Sequence, residues 1–156
     1  MNTFTKWFLV NSVVATAAFF AETKGALSTM IKNDVSHLTI VIMILYVLLT
    51  AFVGKLCYLA DKADKKKAKH DLSELSRRSE IGWFAAEHFF SLGLLGTIIG
   101  LIIATGGSLD SALPLTEIVA GLKEGLNTAF YTTVCGIVFS LPLQGQLMIL
   151  RFKLEG

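Results

Sequence analysis

The stretch LGLLGTIIGLI, residues 92–102, places glycine and threonine at regular intervals in a run of leucine and isoleucine. A second stretch, GLNTAFYTTVCGIVFSL at residues 125–141, repeats the pattern with more hydroxyl groups. Inside a membrane, small residues let helix backbones approach closely, and polar side chains mark helix contacts or a hydrated path. The two stretches therefore predict a membrane assembly with a polar seam between two helices.

The composition argues against an ordinary soluble domain of this size. Of the 156 residues, 53% are hydrophobic and only 17% are charged, and the mean hydropathy is +0.62. A soluble domain needs more charge to cover its surface. Cys57 and Cys135 both fall in apolar segments. We therefore expect free thiols, and the cysteine and histidine spacing offers no metal site.

Three segments are long and apolar enough to span a bilayer, which takes roughly 20 residues. The predicted parts are an N-terminal segment at 1–35, a span at 36–60, a basic loop at 61–80, a span at 81–104, an outer loop at 105–120, and a third span with its inner end at 121–156. Pro142 is expected to kink the third span. The predicted fold class is an all-α membrane protein that assembles as a homo-oligomeric ring.

The charges predict the orientation of the spans. Residues 61–80 carry seven lysines and arginines, whereas residues 105–117 carry none. Because positive loops stay in the cytoplasm, the first span is expected to run inward, the second outward and the third inward. The basic loop is best explained as a topology determinant; binding of anionic lipid or a soluble partner is the alternative. Without interleaved aromatic residues, it does not indicate nucleic-acid binding.

Residues 4–22 leave more than one interpretation open. Their apolar core is about 16 residues, short for a span, and it is interrupted by three polar residues, Asn11, Ser12 and Thr16. A helix lying in the outer interface, anchored by Trp7 and Phe8, fits a three-span topology. A fourth span is the alternative. A cleaved signal peptide fits less well because Lys6 is the only basic residue at its start.

Small and hydroxyl-bearing residues fall on one face of the second span and one face of the third. The residues expected at the helix contact are Gly93, Gly96, Gly100, Gly125, Ala129 and Gly136. The residues expected to line an ion pathway are Thr97, Thr128, Thr132 and Thr133. Ordinary close packing, with each hydroxyl bonded to its own i−4 carbonyl, is the alternative. The length of the stripes and their hydroxyls near mid-membrane favour a lumen.

Titratable groups are scarce along this seam. Glu87 and His88 lie about ten residues before Thr97, roughly 15 Å away along a helix. They are either interfacial residues or an inner proton exit. No carboxylate falls between Thr97 and Ala104 or within 127–141. If ions cross here, another chain must supply the titrating acid.

The two motifs resemble the MotA/TolQ/ExbB proton-channel family. The second span carries its L-G-x-x-G-T-x-x-G pattern at residues 92–100, and the third span carries its small-x-x-x-T-x-x-G pattern, followed by a proline, at residues 129–142. The resemblance covers about residues 82–145. Phe90 stands where a proline often precedes the first motif, and Thr128 replaces an acid common in the TolQ-like branch. The short inner loop resembles compact TolQ/ExbB-like or phage-type members.

The resemblance implies a homopentamer in the bacterial inner membrane, around two copies of a single-span partner of the MotB/TolR/ExbD type. The partner's membrane aspartate carries the ion, and the threonines matching Thr97 and Thr133 face it. The transported species is H⁺ or Na⁺, which the sequence does not distinguish, and no cofactor is implied. Ion flow would drive a motor whose work is exported to the cell envelope.

Two other functions remain open from the sequence. The chain could form an oligomeric pore of the holin type without a partner, or it could be a passive membrane scaffold. An enzyme is not expected, because the sequence shows no nucleophile–base pair, phosphate-binding loop or cluster of metal ligands. Glu87 and His88 lack the second histidine of a helical zinc-protease motif.

Overall fold

The computed structural model describes residues 2–65, 69–106 and 114–155, and these form five α-helices. The helices are α1 (Thr3–Thr23), α2 (Ala26–Asn33), α3 (Leu38–Lys65), α4 (Lys69–Gly106) and α5 (Leu115–Glu155). Four of them, all but α2, are long and apolar enough to cross a membrane. The prediction of an all-α, multi-pass membrane protein is confirmed. Lys66 and Lys67 of the predicted basic loop, and residues 107–113 of the outer loop, lie outside the described residues.

The two helices that carry the motifs are much longer than a membrane span. α4 has 38 residues and α5 has 41, which at 1.5 Å per residue makes each roughly 60 Å long. The hydrocarbon core of a bilayer is about 30 Å thick, so both helices extend beyond it. α4 therefore continues the second span into the basic segment, where Arg78 pairs with Glu74 one turn away at 2.6 Å.

The first helix packs against α3 and α5. The backbone amides of Thr3 and Phe4 donate to the Asp61 carboxylate at the end of α3, at 3.0 and 2.8 Å. α1 therefore begins where α3 ends, which we call the basic end of the bundle, and it runs antiparallel to α3. It leads through Gly25 into α2 at the opposite end. Of the alternatives for residues 4–22, the fourth span fits this arrangement, whereas a helix lying flat in the outer interface does not.

The polar residues that interrupt α1 in sequence are satisfied within the protein. Ser12 Oγ donates to Phe8 O at 2.9 Å, and Thr16 Oγ1 donates to Ser12 O at 2.8 Å. Asn11 Nδ2 donates to Trp7 O at 2.9 Å. Back-bonding of this kind removes most of the cost of placing a hydroxyl or amide in an apolar layer. These residues are therefore compatible with a membrane span.

The hydrophobic core lies between α3, α4 and α5. Its most buried large side chains, all at most 2% exposed, are Ile42, Val53, Leu56, Phe89, Leu143, Leu147 and Leu150. Tyr46 of α3 packs on Phe139 of α5 with ring centroids 4.9 Å apart. Cys57 and Cys135 are both buried and unpaired. This core holds α4 and α5 together toward the basic end, while the glycines of the two motifs bring them into contact elsewhere.

Candidate ion pathway at the crossing of α4 and α5

Glycines bring the backbones of α4 and α5 into direct contact. A Cβ atom on Gly100 would lie 2.5 Å from both Ala129 N and Gly125 O, and one on Gly136 would lie 2.7 Å from Phe89 O. Distances this short to backbone atoms leave no room for a side chain. The helices are antiparallel, so Gly93 meets Gly136 while Gly100 meets Gly125.

The remaining small residues complete the same contact. A Cβ on Gly93 would lie 3.0 Å from Thr132 O, and one on Gly96 would overlap the Thr132 side chain. The structure thus places all six residues expected at the helix contact in this crossing: Gly93, Gly96, Gly100, Gly125, Ala129 and Gly136. Close approach of this kind is typical of membrane helices that associate through small residues.

Thr97 of α4 and Thr133 of α5 meet beside this crossing. Their hydroxyl oxygens are in hydrogen-bond contact with each other. Thr97 Oγ1 also lies 3.2 Å from Gly93 O, and Thr133 Oγ1 lies 2.9 Å from Ala129 O. These last two are the i−4 hydrogen bonds expected of ordinary packing. Because each hydroxyl has one proton, one threonine donates to its partner's oxygen and the other donates to a carbonyl. Both side chains are half-buried.

The hydroxyl pair lies in the middle of an apolar, exposed face. At helical spacing, three positions lie on the same side of each helix as its threonine. They are seven residues before it, three residues before it and four residues after it. All six of these residues are large, apolar and 39–65% exposed: Phe90, Leu94 and Leu101 on α4, and Leu126, Phe130 and Ile137 on α5. We call this surface the threonine face.

Thr128 and Thr132, also expected to line the pathway, are fully buried inside the subunit. Thr132 Oγ1 donates to Thr128 O at 2.8 Å. Thr128 Oγ1 accepts from Val35 N at 3.1 Å and so links α5 to the segment after α2. Successive helix residues are rotated by about 100°, so these two threonines point away from the threonine face. The expectation that they line a pathway does not fit this geometry.

Glu87 and His88 are exposed and distant from the hydroxyl pair. His88 Nδ1 lies 2.7 Å from Phe84 O, and its ring packs on the Phe84 ring with centroids 4.0 Å apart. Glu87 lines a separate cavity, together with Arg151, toward the basic end. The structure does not bring either residue together with the threonines, so the assignment of a proton exit stays a prediction.

α5 continues through Pro142 as one helix. Proline cannot donate a backbone hydrogen bond. Close by, Ser140 Oγ donates to Ile137 O at 3.1 Å. The expected kink at Pro142 stays a prediction. Within residues 2–65, 69–106 and 114–155, no group of three or more histidine, cysteine, aspartate or glutamate residues is placed to hold a metal ion.

The sequence interpretation missed a buried carboxylate before α3. Asp34 is 1% exposed, and its oxygens accept from Ser36 N at 3.0 Å and Thr39 N at 2.7 Å. A short acidic side chain that accepts from amides at the start of a helix is a capping residue. The pattern DVSHLT directly before an apolar run was the available signal. Asp34 thereby fixes the start of α3 close to Thr128.

The sequence interpretation also missed a polar contact that holds α1 against α5. The indole nitrogen of Trp7 donates to Gln146 Oε1 of α5 at 3.0 Å, and Gln146 Nε2 donates to Asn11 Oδ1 at 3.2 Å. Gln146 is fully buried. We call these three side chains the Gln146 contact. A single amide in an apolar stretch, far from its partners in sequence, gave no signal by itself.

Comparison with known proteins agrees with this geometry. A family model described as the MotA/TolQ/ExbB proton channel family matches residues 47–153, well over half of the chain. The match includes the crossing of α4 and α5 and leaves out α1 and α2. No curated protein and no solved structure matches the chain. The family expected from the two motifs is confirmed: the chain belongs to the MotA/TolQ/ExbB proton channel family.

Proposed function

We propose that this chain is the channel-forming subunit of a complex driven by an ion gradient. Ions pass along the threonine face, and the paired hydroxyls of Thr97 and Thr133 are the site that they meet. A partner with one membrane-spanning helix supplies the carboxylate that carries the ion. The observation that supports this most directly is the hydroxyl pair, half-buried in the middle of an exposed apolar surface.

The hydroxyl pair suits a cation that has lost part of its water. Each hydroxyl oxygen has two lone pairs, and the contact between the two hydroxyls occupies only one of these four, so acceptor capacity remains for a cation. Oxygen atoms that replace hydration are the usual basis of selectivity in channels. Both H⁺, bound to an acid or water, and Na⁺ can use such oxygens. The pair therefore supports cation transport without deciding which ion is carried.

The acid must come from elsewhere, because the chain has none on this surface. The sequence holds no aspartate or glutamate from His88 to Leu109, nor from Gly125 to Leu154. Hydroxyls alone do not titrate near neutral pH and cannot carry a proton between two sides. The apolar residues around the pair match the surface of an apolar helix. A partner helix with one carboxylate at the level of Thr97 fits both requirements.

Several copies of the chain are needed to enclose a pathway. The threonine face belongs to only two helices of one subunit, and six large apolar side chains on it are exposed. In a ring of subunits, these faces would converge on a common axis and leave lipid contact. The resemblance suggests five copies around two partner helices, and it suggests that ion flow performs mechanical work on the cell envelope.

The experiment is ion flux through proteoliposomes that contain the chain and its co-expressed partner. Thr97→Val and Thr133→Val keep the side-chain shape and remove the hydroxyl. We expect each to lower flux at least about tenfold, because a hydrogen bond to a charged group contributes roughly 1.5–3 kcal/mol. The native mass of the complex should stay unchanged.

Thr105→Val is the matched control. Thr105 lies on α4 and is exposed, and its hydroxyl donates to Leu101 O at 2.9 Å, but it lies beyond the hydroxyl pair. We expect wild-type flux. Full flux in the double variant of Thr97 and Thr133 would show that the pair does not line the pathway. Dye leakage through the chain alone would favour a stand-alone pore, and no flux in either setting would favour a scaffold.

A further inference from the structure

A polar cavity of about 300 Å³ lies at the basic end, between the start of α1 and the ends of α3 and α5. Its charged lining consists of Lys6 from α1, Asp61 and Asp64 from α3, and Lys153 from α5. The cavity is formed by three elements that are far apart in sequence. It lies where the apolar stretches of α1, α3 and α5 give way to charged residues, which in a bilayer corresponds to the depth of lipid headgroups.

An apolar groove of about 400 Å³ adjoins this cavity. Leu9, Val10 and Val13 of α1 line one side, and Ile149 of α5 lines the other. Lys6 and Ile149 line both the cavity and the groove, so the two lie side by side. From Lys6 to the far end of the groove is eight helical residues, roughly 12 Å. That distance covers most of one leaflet, whose apolar half is about 15 Å deep.

The charges of the cavity select a headgroup of mixed sign. Asp61 accepts from the first amides of α1, and Lys153 pairs with Asp64. Lys6 is exposed and forms an ion pair with no carboxylate among the residues that the structure describes. Lys6 and Asp61 are therefore the two charged groups of the cavity that lack an ion-pair partner among the described residues. A purely anionic headgroup would meet both carboxylates, whereas a phosphate with an attached ammonium matches both signs.

We propose that this cavity and groove bind one phospholipid with a phosphate and a primary ammonium in its headgroup, of the phosphatidylethanolamine type. The phosphate lies against Lys6, and the ammonium donates hydrogen bonds toward Asp61 and Asp64. One acyl chain follows the groove between Val10 and Ile149. The lipid thereby bridges α1 and α5 at the basic end. The site is distinct from the threonine face and does not depend on the proposed ion transport.

Native mass spectrometry of the full chain, released from nanodiscs with equal amounts of phosphatidylethanolamine, phosphatidylglycerol and phosphatidylcholine, tests the proposal. We expect phosphatidylethanolamine to be retained about fivefold over the other two, which corresponds to about 1 kcal/mol. Phosphatidylcholine has no ammonium hydrogen to donate, and phosphatidylglycerol has no positive charge. Equal retention of the three, a preference for phosphatidylglycerol, or no retained lipid would overturn the proposal.

Variants separate the groove from the headgroup cavity. Val10→Trp fills the groove and should abolish the retention, whereas Val47→Trp on α3, where valine is 65% exposed and outside the groove, should not. Lys6→Ala removes a contact to the phosphate that all three lipids share and should lower the retention of all three, whereas Asp61→Asn, which removes a carboxylate facing the ammonium, should reduce the preference for phosphatidylethanolamine to about twofold or less. Unchanged retention in both Val10→Trp and Lys6→Ala would overturn the proposal. So would a changed number of subunits in Val10→Trp without loss of lipid, because a second copy of the chain would then cover the groove.

Discussion

The two helix contacts of this bundle are built in opposite ways. α4 and α5 are in contact at residues with little or no side chain. Gly100, Gly125 and their neighbours bring the two backbones within van der Waals distance. α1 is fastened through large side chains. Trp7 lies directly over Gly54 of α3, where an added Cβ would come 2.5 Å from the ring, and it reaches across to Gln146 of α5.

The difference shows which contact tolerates change. Backbone against backbone cannot relax, because any added atom forces the helices apart along their length. A tryptophan at the surface of a bundle can rotate or be replaced by lipid, since acyl chains are as apolar as the ring. The crossing of α4 and α5 is therefore the rigid part, and it carries the hydroxyl pair. α1 is the adaptable part, and it lies outside the residues matched by the family model.

The largest expected effect is at the rigid crossing. Gly100→Ala should lower the free energy of unfolding by about 2–3 kcal/mol, because its Cβ meets backbone atoms of α5 that cannot move independently. SDS titration in mixed micelles measures this. Gly145→Ala is the control, since nothing lies within 4 Å of a Cβ there, and it should be nearly neutral. Equal stability of the two variants would mean that the crossing is looser than described.

Trp7→Ala tests the contact of α1 with α3 and α5, and it should lower the free energy of unfolding by about 2 kcal/mol. The value is below the roughly 3–5 kcal/mol of a buried tryptophan in a soluble core, because lipid refills the space. A double-mutant cycle with Gly54→Ala sharpens the test. Gly54→Ala should destabilise the wild type by about 1 kcal/mol, where its Cβ meets the indole ring, and should cost nothing after Trp7→Ala. Equal costs in both backgrounds would exclude the stacking of Trp7 on Gly54.

The smallest expected effect is at the polar end of the same contact. Gln146→Leu removes the acceptor for the Trp7 indole and the donor for Asn11. We expect a loss of about 1 kcal/mol, since hydrogen bonds between membrane helices contribute roughly 0.6 kcal/mol each. Gln144→Leu, two residues away and half-buried, is the matched control and should be neutral or stabilising. A larger loss in Gln144→Leu would show that the Gln146 contact does not fasten α1.

Much of the crossing was predictable from local pattern. Glycines at Gly93 and Gly100, seven residues apart, fall on one helix face whatever surrounds them. The same spacing on the third span pointed to its partner face, and two consecutive spans joined by a short loop must run antiparallel, with the lysines and arginines of residues 61–80 setting which end is cytoplasmic. The meeting of the two small-residue faces follows from these facts with no knowledge of the other helices, whereas the pairing of Gly100 with Gly125 and Ala129 comes from the structure.

The four threonines show what the sequence pattern could not predict. The spacing of hydroxyls predicts that all four threonines, Thr97, Thr128, Thr132 and Thr133, line the pathway. In the structure only Thr97 and Thr133 share the exposed face. Adjacent residues such as Thr132 and Thr133 differ by about 100° around the helix. Which of them points at the neighbouring helix and which at the outside depends on how α5 is rotated in the bundle. That rotation is set by packing against α2, α3 and α4 together.

The sequence by itself determined the class, the family motifs and the close approach of two helices, because hydropathy and helical periodicity are properties of neighbouring residues. Only the tertiary structure decided that α1 packs antiparallel to α3 and which threonines face outward. It also joined Trp7 to Gln146, 139 positions apart, and placed Lys6 and two aspartates of α3 around one cavity. These features depend on contacts between distant segments, whose geometry is fixed only when all the helices pack at once.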